Sequence, residues 1–213
     1  AMAMHLLSHD GLSVLVRTSS GVPVVVHWGT GLDAMASADG LGAAVQRPRP
    51  PGSLDEEPEL SLLPEAAVGF PGSPGLECHR AGGPVFPRLS MTSWEADASD
   101  CRFRLSDRTA GVEVEGSLSI GPVVALDLVL VNAGADALHV HRLAPTLPLP
   151  DAAGEVIRLG GHWARELQPV RLAWPAGILL VENRRGRTSH DSLPLAYAGP
   201  PGFGERHGPV HGV

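Results

Sequence analysis

Three groups of residues in this chain have types and spacings that suit chemistry. His139 and His141 stand two apart in the run His139-Val140-His141, so on a strand both imidazoles project from one face, as two metal ligands would. No third ligand follows at any recognisable metal-binding spacing, so neither a metal nor another cofactor is expected. The second group is polar and aromatic: Gly161-His162-Trp163-Ala164-Arg165-Glu166, then Arg184-Arg185-Gly186-Arg187-Thr188-Ser189-His190. Three arginines within four positions repel one another unless carboxylates or packed aromatics offset them, which points to an ion-paired loop, a subunit contact or a sugar contact. Trp163 suits either a core or an exposed stacking surface. The third group is acidic. Glu65, Glu77 and Glu166 have apolar neighbours and suit partial burial. A glycosidase needs two carboxyls about 5–9 Å apart. Nothing in the sequence sets two acids apart from the rest, and ion pairs with arginine account for these equally well. No catalytic residue is assigned.

Other chemistries leave no trace. G-x-S-x-G, a phosphate loop and H-E-x-x-H are all missing, and Gly202-Phe203-Gly204 lacks the surrounding βαβ unit of a dinucleotide site. The formal net charge is −7 and every one of the 16 basic residues is arginine. Without a basic stripe the chain is not expected to bind nucleic acid. No apolar run is long enough for a membrane helix, so no membrane partner is expected. Cys78 and Cys101 are the only cysteines, too few for a disulfide framework, and a cytoplasmic location is the expectation. The first residues, Ala1-Met2-Ala3-Met4, read as left by cloning and show no basic n-region of a secretory signal.

The elements that must position these residues are strands. The 26 glycines and 20 prolines are spread along the chain at intervals that long helices do not tolerate. Strands are predicted at 12–18, 22–28, 85–94, 101–105, 111–120, 123–131, 137–143, 156–159, 168–174, 178–182 and 193–198. Ser19-Ser20-Gly21 closes a hairpin between the first two, 107–111 is a turn, and 123–131 is expected to pair with 137–143 through Asn132-Ala133-Gly134-Ala135-Asp136. Turns recurring at this spacing mark an all-β sandwich or barrel. Residues 47–75 break the rhythm with seven prolines and the acidic run Asp55-Glu56-Glu57 with Glu59. They read as a solvated Pro-rich loop inside a domain spanning 5–213.

The two polar blocks also carry a resemblance. Gly161-His162-Trp163-Ala164-Arg165-Glu166, followed by Glu182-Asn183-Arg184-Arg185-Gly186-Arg187-Thr188-Ser189-His190 and Pro194, resembles paired blocks in the N-terminal domain of glycoside hydrolase family 36 α-galactosidases. Gly204-Glu205-Arg206-His207-Gly208-Pro209-Val210-His211-Gly212-Val213 is similar to the block that opens the family's next strand, although Pro209 and His211 replace an acidic and an aromatic residue. His27-Trp28-Gly29 is a weaker likeness. The resemblance implies an antiparallel two-sheet supersandwich of the galactose-mutarotase type, here ending before its last strands. It implies a parent enzyme that releases terminal α-linked galactose with retention and without a metal, using aspartates on a (β/α)8 barrel of the same polypeptide. It also implies a homotetramer in which Trp163 approaches a galactoside, with Arg184, Arg185, Arg187 and His190 as substrate or interface residues. A free-standing carbohydrate-binding module and a mutarotase-like epimerase with a His and Glu pair facing a cavity are the competing readings.

Overall fold

The computed structural model describes residues 3–32, 37–44, 51–52, 58–175, 177–182 and 192–213, and these form two compact units, one ending at Pro148 and the other beginning at Leu149. All strand pairing is antiparallel. The expected all-β class is what the chain adopts. The short α-helix α1 (Ala38–Ala44) was not anticipated.

The first unit is a sandwich. One sheet holds β1 (Ala3–His9), β2 (Leu12–Thr18) and β3 (Val24–Thr30), in that order. After β4 (Leu76–Arg80) and β5 (Gly83–Val85) comes a four-stranded meander of β6 (Ser90–Ala96), β7 (Asp100–Asp107), β8 (Val112–Ile120) and β9 (Val124–Asn132). Strict alternation along β8 buries Val112, Val114, Leu118 and Ile120, while Cys101, Phe103 and Leu105 point inward from β7. They share one core with Leu7, Val14, Val16 and Val25 of the first sheet, the arrangement of two stacked sheets. At the one inward position of β8 without a side chain, Gly116, the Phe103 ring of the neighbouring strand lies over the backbone. A Cβ there would fall 2.1 Å from the Phe103 ring.

Three sequence expectations change here. Residues 85–94 are not one strand: Pro87 lacks a ladder donor, and the chain leaves β5 before rejoining a sheet as β6. The freed amides find carboxylates instead, Arg88 N–H on Asp107 Oδ2 at 2.8 Å and Leu89 N–H on Glu65 Oε1 at 2.5 Å. Second, β9 does not pair with β10 (His139–Leu143). The latter joins β4 in a separate sheet ordered β10-β4-β5. Asn132 closes the loop after β9, its Oδ1 accepting Gly134 N–H and its Nδ2 donating to the Asp136 carbonyl. Arg80, at the end of β4, donates to the carbonyls of Ala110, Gly111 and Asp136 and to Asn132 Oδ1, which draws this loop to β4. Third, the described part of the Pro-rich segment is no solvated loop throughout. Leu62 and Leu63 are 1% exposed, Leu62 N–H donates to Pro23 O, and Thr146 N–H donates to Leu62 O. Burying two leucines contributes about 1.5–3 kcal/mol each. The acidic run Asp55-Glu56-Glu57 lies outside the described residues.

The second unit contains one sheet, ordered β12-β11-β13-β14, of β11 (Glu155–His162), β12 (Arg165–Ala173), β13 (Ser192–Gly199) and β14 (His211–Gly212). Residues 178–182 are irregular rather than a strand, and Ile178 and Leu180 stand open. Pro175 lacks a donor and Gly177 takes φ +130°, so the chain turns where a ladder would have to begin. Among the described residues no helix is long and apolar enough to cross a membrane.

Candidate functional site

The first of the two polar blocks folds as the β11–β12 hairpin. His162 pairs with Arg165 across a two-residue tip of Trp163 and Ala164, and the register shifts between Gly160 and His162. Gly161 sits at the bulge with φ +147°, and a Cβ there would come within 2.3 Å of Arg165 O, so the position requires glycine. Ala164 and Leu167 also adopt left-handed φ, +63° and +57°. Such residues cost of order 1 kcal/mol or more and persist where their surroundings over-determine them. Three local hydrogen bonds contribute. Glu166 Oε1 accepts Ala164 N–H at 2.9 Å, Gln168 Nε2 donates to Glu166 O, and His162 Nδ1–H donates to Trp163 O. Glu166, one of the acids considered from sequence, therefore shapes the turn. The result is a rigid tip that presents Trp163 at 78% exposure.

The base of the hairpin is tied down by charge. Arg171 of β12 bonds Glu155 Oε2 at 2.5 Å and Phe203 O at 2.6 Å, with its guanidinium 4.8 Å over the Phe203 ring. Gly202 N–H and Arg171 together hold the Glu155 carboxyl below its usual range. The other candidates of the site, Arg184, Arg185, Arg187 and His190, lie outside the described residues.

Asp97 and Asp107 behave as structural groups. N–H donors from Ser99 and Asp100 hold Asp97 low. Burial works against Asp107, yet the N–H groups of Ala110, Arg88 and Thr109 outweigh it and keep that carboxyl low too. Both cap turns of the meander. Glu65 by contrast is pushed up, by burial first, against the opposing hydrogen bond from Leu89 and the charge of Arg88.

His139 and His141 do share a face with a third imidazole that sequence spacing did not reveal. His79 of β4 stacks on His139 at 4.7 Å and on His141 at 4.8 Å, and its Nδ1 is 2.8 Å from His141 Nε2. Mutual repulsion adds to desolvation in lowering the His79 pKa. Among the described residues no group of three or more His, Cys, Asp or Glu is arranged to hold a metal ion.

Residues 21–213 match the family model described as the glycosyl hydrolase family 36 N-terminal domain. An α-galactosidase of Escherichia coli is 35% identical over 209 residues, which cover 97% of this chain and 29% of that enzyme. Among solved structures, a variant of the family 36 α-galactosidase AgaA of Geobacillus stearothermophilus in complex with 1-deoxygalactonojirimycin superposes with a TM-score of 0.83 at 20% identity. The superposition covers 99% of this chain and 33% of that one. A second AgaA variant, in complex with raffinose, gives 0.81 at 21% identity over 99% and 33% of the two chains. The Lactobacillus brevis α-galactosidase gives 0.77 at 19% identity over 93% and 31%. The chain thus spans about a third or less of the length of these relatives. The shared strand architecture, the sequence identity and the family match converge: this chain belongs to the glycosyl hydrolase family 36 N-terminal domain family.

Proposed function

We propose that the chain is the N-terminal accessory and oligomerisation domain of an α-galactosidase that removes terminal α-linked galactose from oligosaccharides with retention. One observation carries the reading: nearly the whole chain aligns at 35% identity with less than a third of an α-galactosidase. A retaining mechanism needs two carboxyls about 5–5.5 Å apart, one a nucleophile and the other an acid with a raised pKa. Asp97 and Asp107 cap turns, Glu155 pairs with Arg171 and Glu166 braces its own hairpin, and we place the reacting pair on a (β/α)8 barrel elsewhere in the same polypeptide. What this domain contributes is position.

Within that proposal Trp163 has a physical role. An exposed indole on a rigid hairpin loses little conformational entropy when it covers a sugar or a neighbouring subunit. The galactoside site of a homotetramer is the surface we assign to it, with Arg184, Arg185, Arg187 and His190 assigned to the same surface. The complex of an AgaA variant with raffinose supports an oligosaccharide as the substrate class. No cofactor enters the chemistry. The buried, unbridged Cys78 and Cys101 support a cytoplasmic setting. The test is Trp163→Ala in the longer polypeptide. We expect KM for raffinose to rise about fivefold, or the tetramer to dissociate at higher protein concentration, with each kcal/mol lost worth roughly fivefold. Unchanged kinetics and assembly refute the role of Trp163.

A further inference from the structure

The first unit contains a cavity of about 430 Å³, inside the range of small-molecule sites. Its floor is β4 and β5, and its rim is formed by Pro64, Glu65, Phe86 and Pro87. From the observations below we propose that this cavity binds a neutral, hydroxyl-rich ring of pyranose size, held by Glu65 and the His79–His141 pair against Phe86. The cavity's lining residues all precede the Trp163 hairpin in the chain, and the proposal does not depend on that reading.

Three features set the ligand chemistry. Glu65 is fixed in orientation because its Oε1 accepts Leu89 N–H, and desolvation leaves its carboxyl poorly stabilised. A ligand hydroxyl donating to it would relieve that cost, since hydrogen bonds to a charged acceptor are the strong ones. The imidazoles supply the complement. With one proton shared between His79 Nδ1 and His141 Nε2, neutral rings leave one outer nitrogen as a donor and the other as an acceptor, whichever tautomer holds. A hydroxyl group both donates and accepts, and it fits such a pair. Third, Phe86 is 64% exposed at the rim. An aromatic ring left in water at the mouth of a cavity offers its face to the C–H side of a sugar. Glu77 also lines the cavity, so a cation is the competing occupant, and two features count against it. Arg88 already acts on Glu65, and any proton taken up by the three stacked imidazoles opposes a second positive charge.

The test uses the 213-residue chain, with galactose and glucose as neutral probes and glucosamine as the cationic form of the same ring. Titration followed by amide and imidazole NMR shifts should give saturable changes at His79, His141 and Leu89. The expected dissociation constant is in the millimolar range, as suits a few hydrogen bonds and one stacked ring. Phe86→Ala, at an exposed position, should fold normally and weaken binding at least about fivefold. Glu65→Gln keeps the acceptor for Leu89 and should weaken it by a similar factor. Absence of shifts at about 50 mM of either neutral sugar, well above that affinity, overturns the proposal. Unchanged affinity in both variants overturns it as well, and tighter binding of glucosamine than of glucose would make the cavity a cation site instead.

Discussion

Truncating Arg80 to alanine tests the packing of the first unit, because one side chain there joins three segments. Arg80 donates five hydrogen bonds, to Ala110 O through Nε and Nη2, to Gly111 O, to Asp136 O and to Asn132 Oδ1. Bonds to a charged donor contribute about 1.5–3 kcal/mol each when water cannot replace the lost partner. Water reaches the exposed side of this cluster, so about 3 kcal/mol in total is expected. For a chain of this size that lowers Tm by roughly 6–12 °C. Arg80→Lys should recover less than half, since a point charge cannot span four acceptors in a plane. Gly134 supplies an internal control, because a Cβ there would meet the Arg80 guanidinium carbon at 2.8 Å. Gly134→Ala should cost about 1–2 kcal/mol beside the arginine and close to nothing in the Arg80→Ala background. Urea unfolding followed by circular dichroism of the four proteins gives the coupling. A loss under about 1 kcal/mol for Arg80→Ala, or additive single effects, refutes the account of why β9 and β10 separate.

Gly116→Ala should destabilise the sandwich by about 2 kcal/mol or more, because the Phe103 ring occupies the Cβ position, and a concurrent Phe103→Leu change should recover part of the loss in a thermal melt. For Glu65 the pH sign follows from burial. Its carboxyl is held above the ordinary value of 4.5, so the contribution to stability is full below that pH and lost as pH rises through the folded value. Glu65→Gln should therefore match the parent chain near pH 4 and become relatively more stable towards neutrality; a gap that widens on acidification contradicts this. Cys101 is buried and its thiol is pushed up to about 11 by desolvation, so it should react with a thiol reagent only after unfolding, whereas rapid labelling of the native chain would refute its placement.

Strand periodicity carried most of the fold. The alternation Val112-Glu113-Val114-Glu115 placed β8, and the breaker residues around Ser19-Ser20-Gly21 placed the hairpin of β2 and β3. Which strand pairs with which was less legible. The apolar runs on either side of Asn132-Ala133-Gly134-Ala135-Asp136 look like two arms of one hairpin, yet the second pairs with β4, whose Arg80, more than fifty residues earlier, also holds the loop. Strand β4 was hidden because Glu77, His79 and Arg80 dilute its apolar pattern to Leu76 and Cys78. The site divides the same way. Gly161-His162-Trp163-Ala164-Arg165-Glu166 is contiguous, so its turn chemistry is local and readable. The cavity draws Glu65, His79, Phe86 and His141 from four separate stretches of chain, and no spacing rule connects them.

The central claim is that this domain positions catalytic acids it does not possess. Hydrolysis of an aryl α-galactoside by the 213-residue chain, measured beside a longer polypeptide that continues into a barrel, tests it most directly. The account predicts release of galactose by the longer polypeptide and none above buffer by the chain alone. Turnover by the chain alone, abolished by changing one of its own aspartates or glutamates, would contradict it.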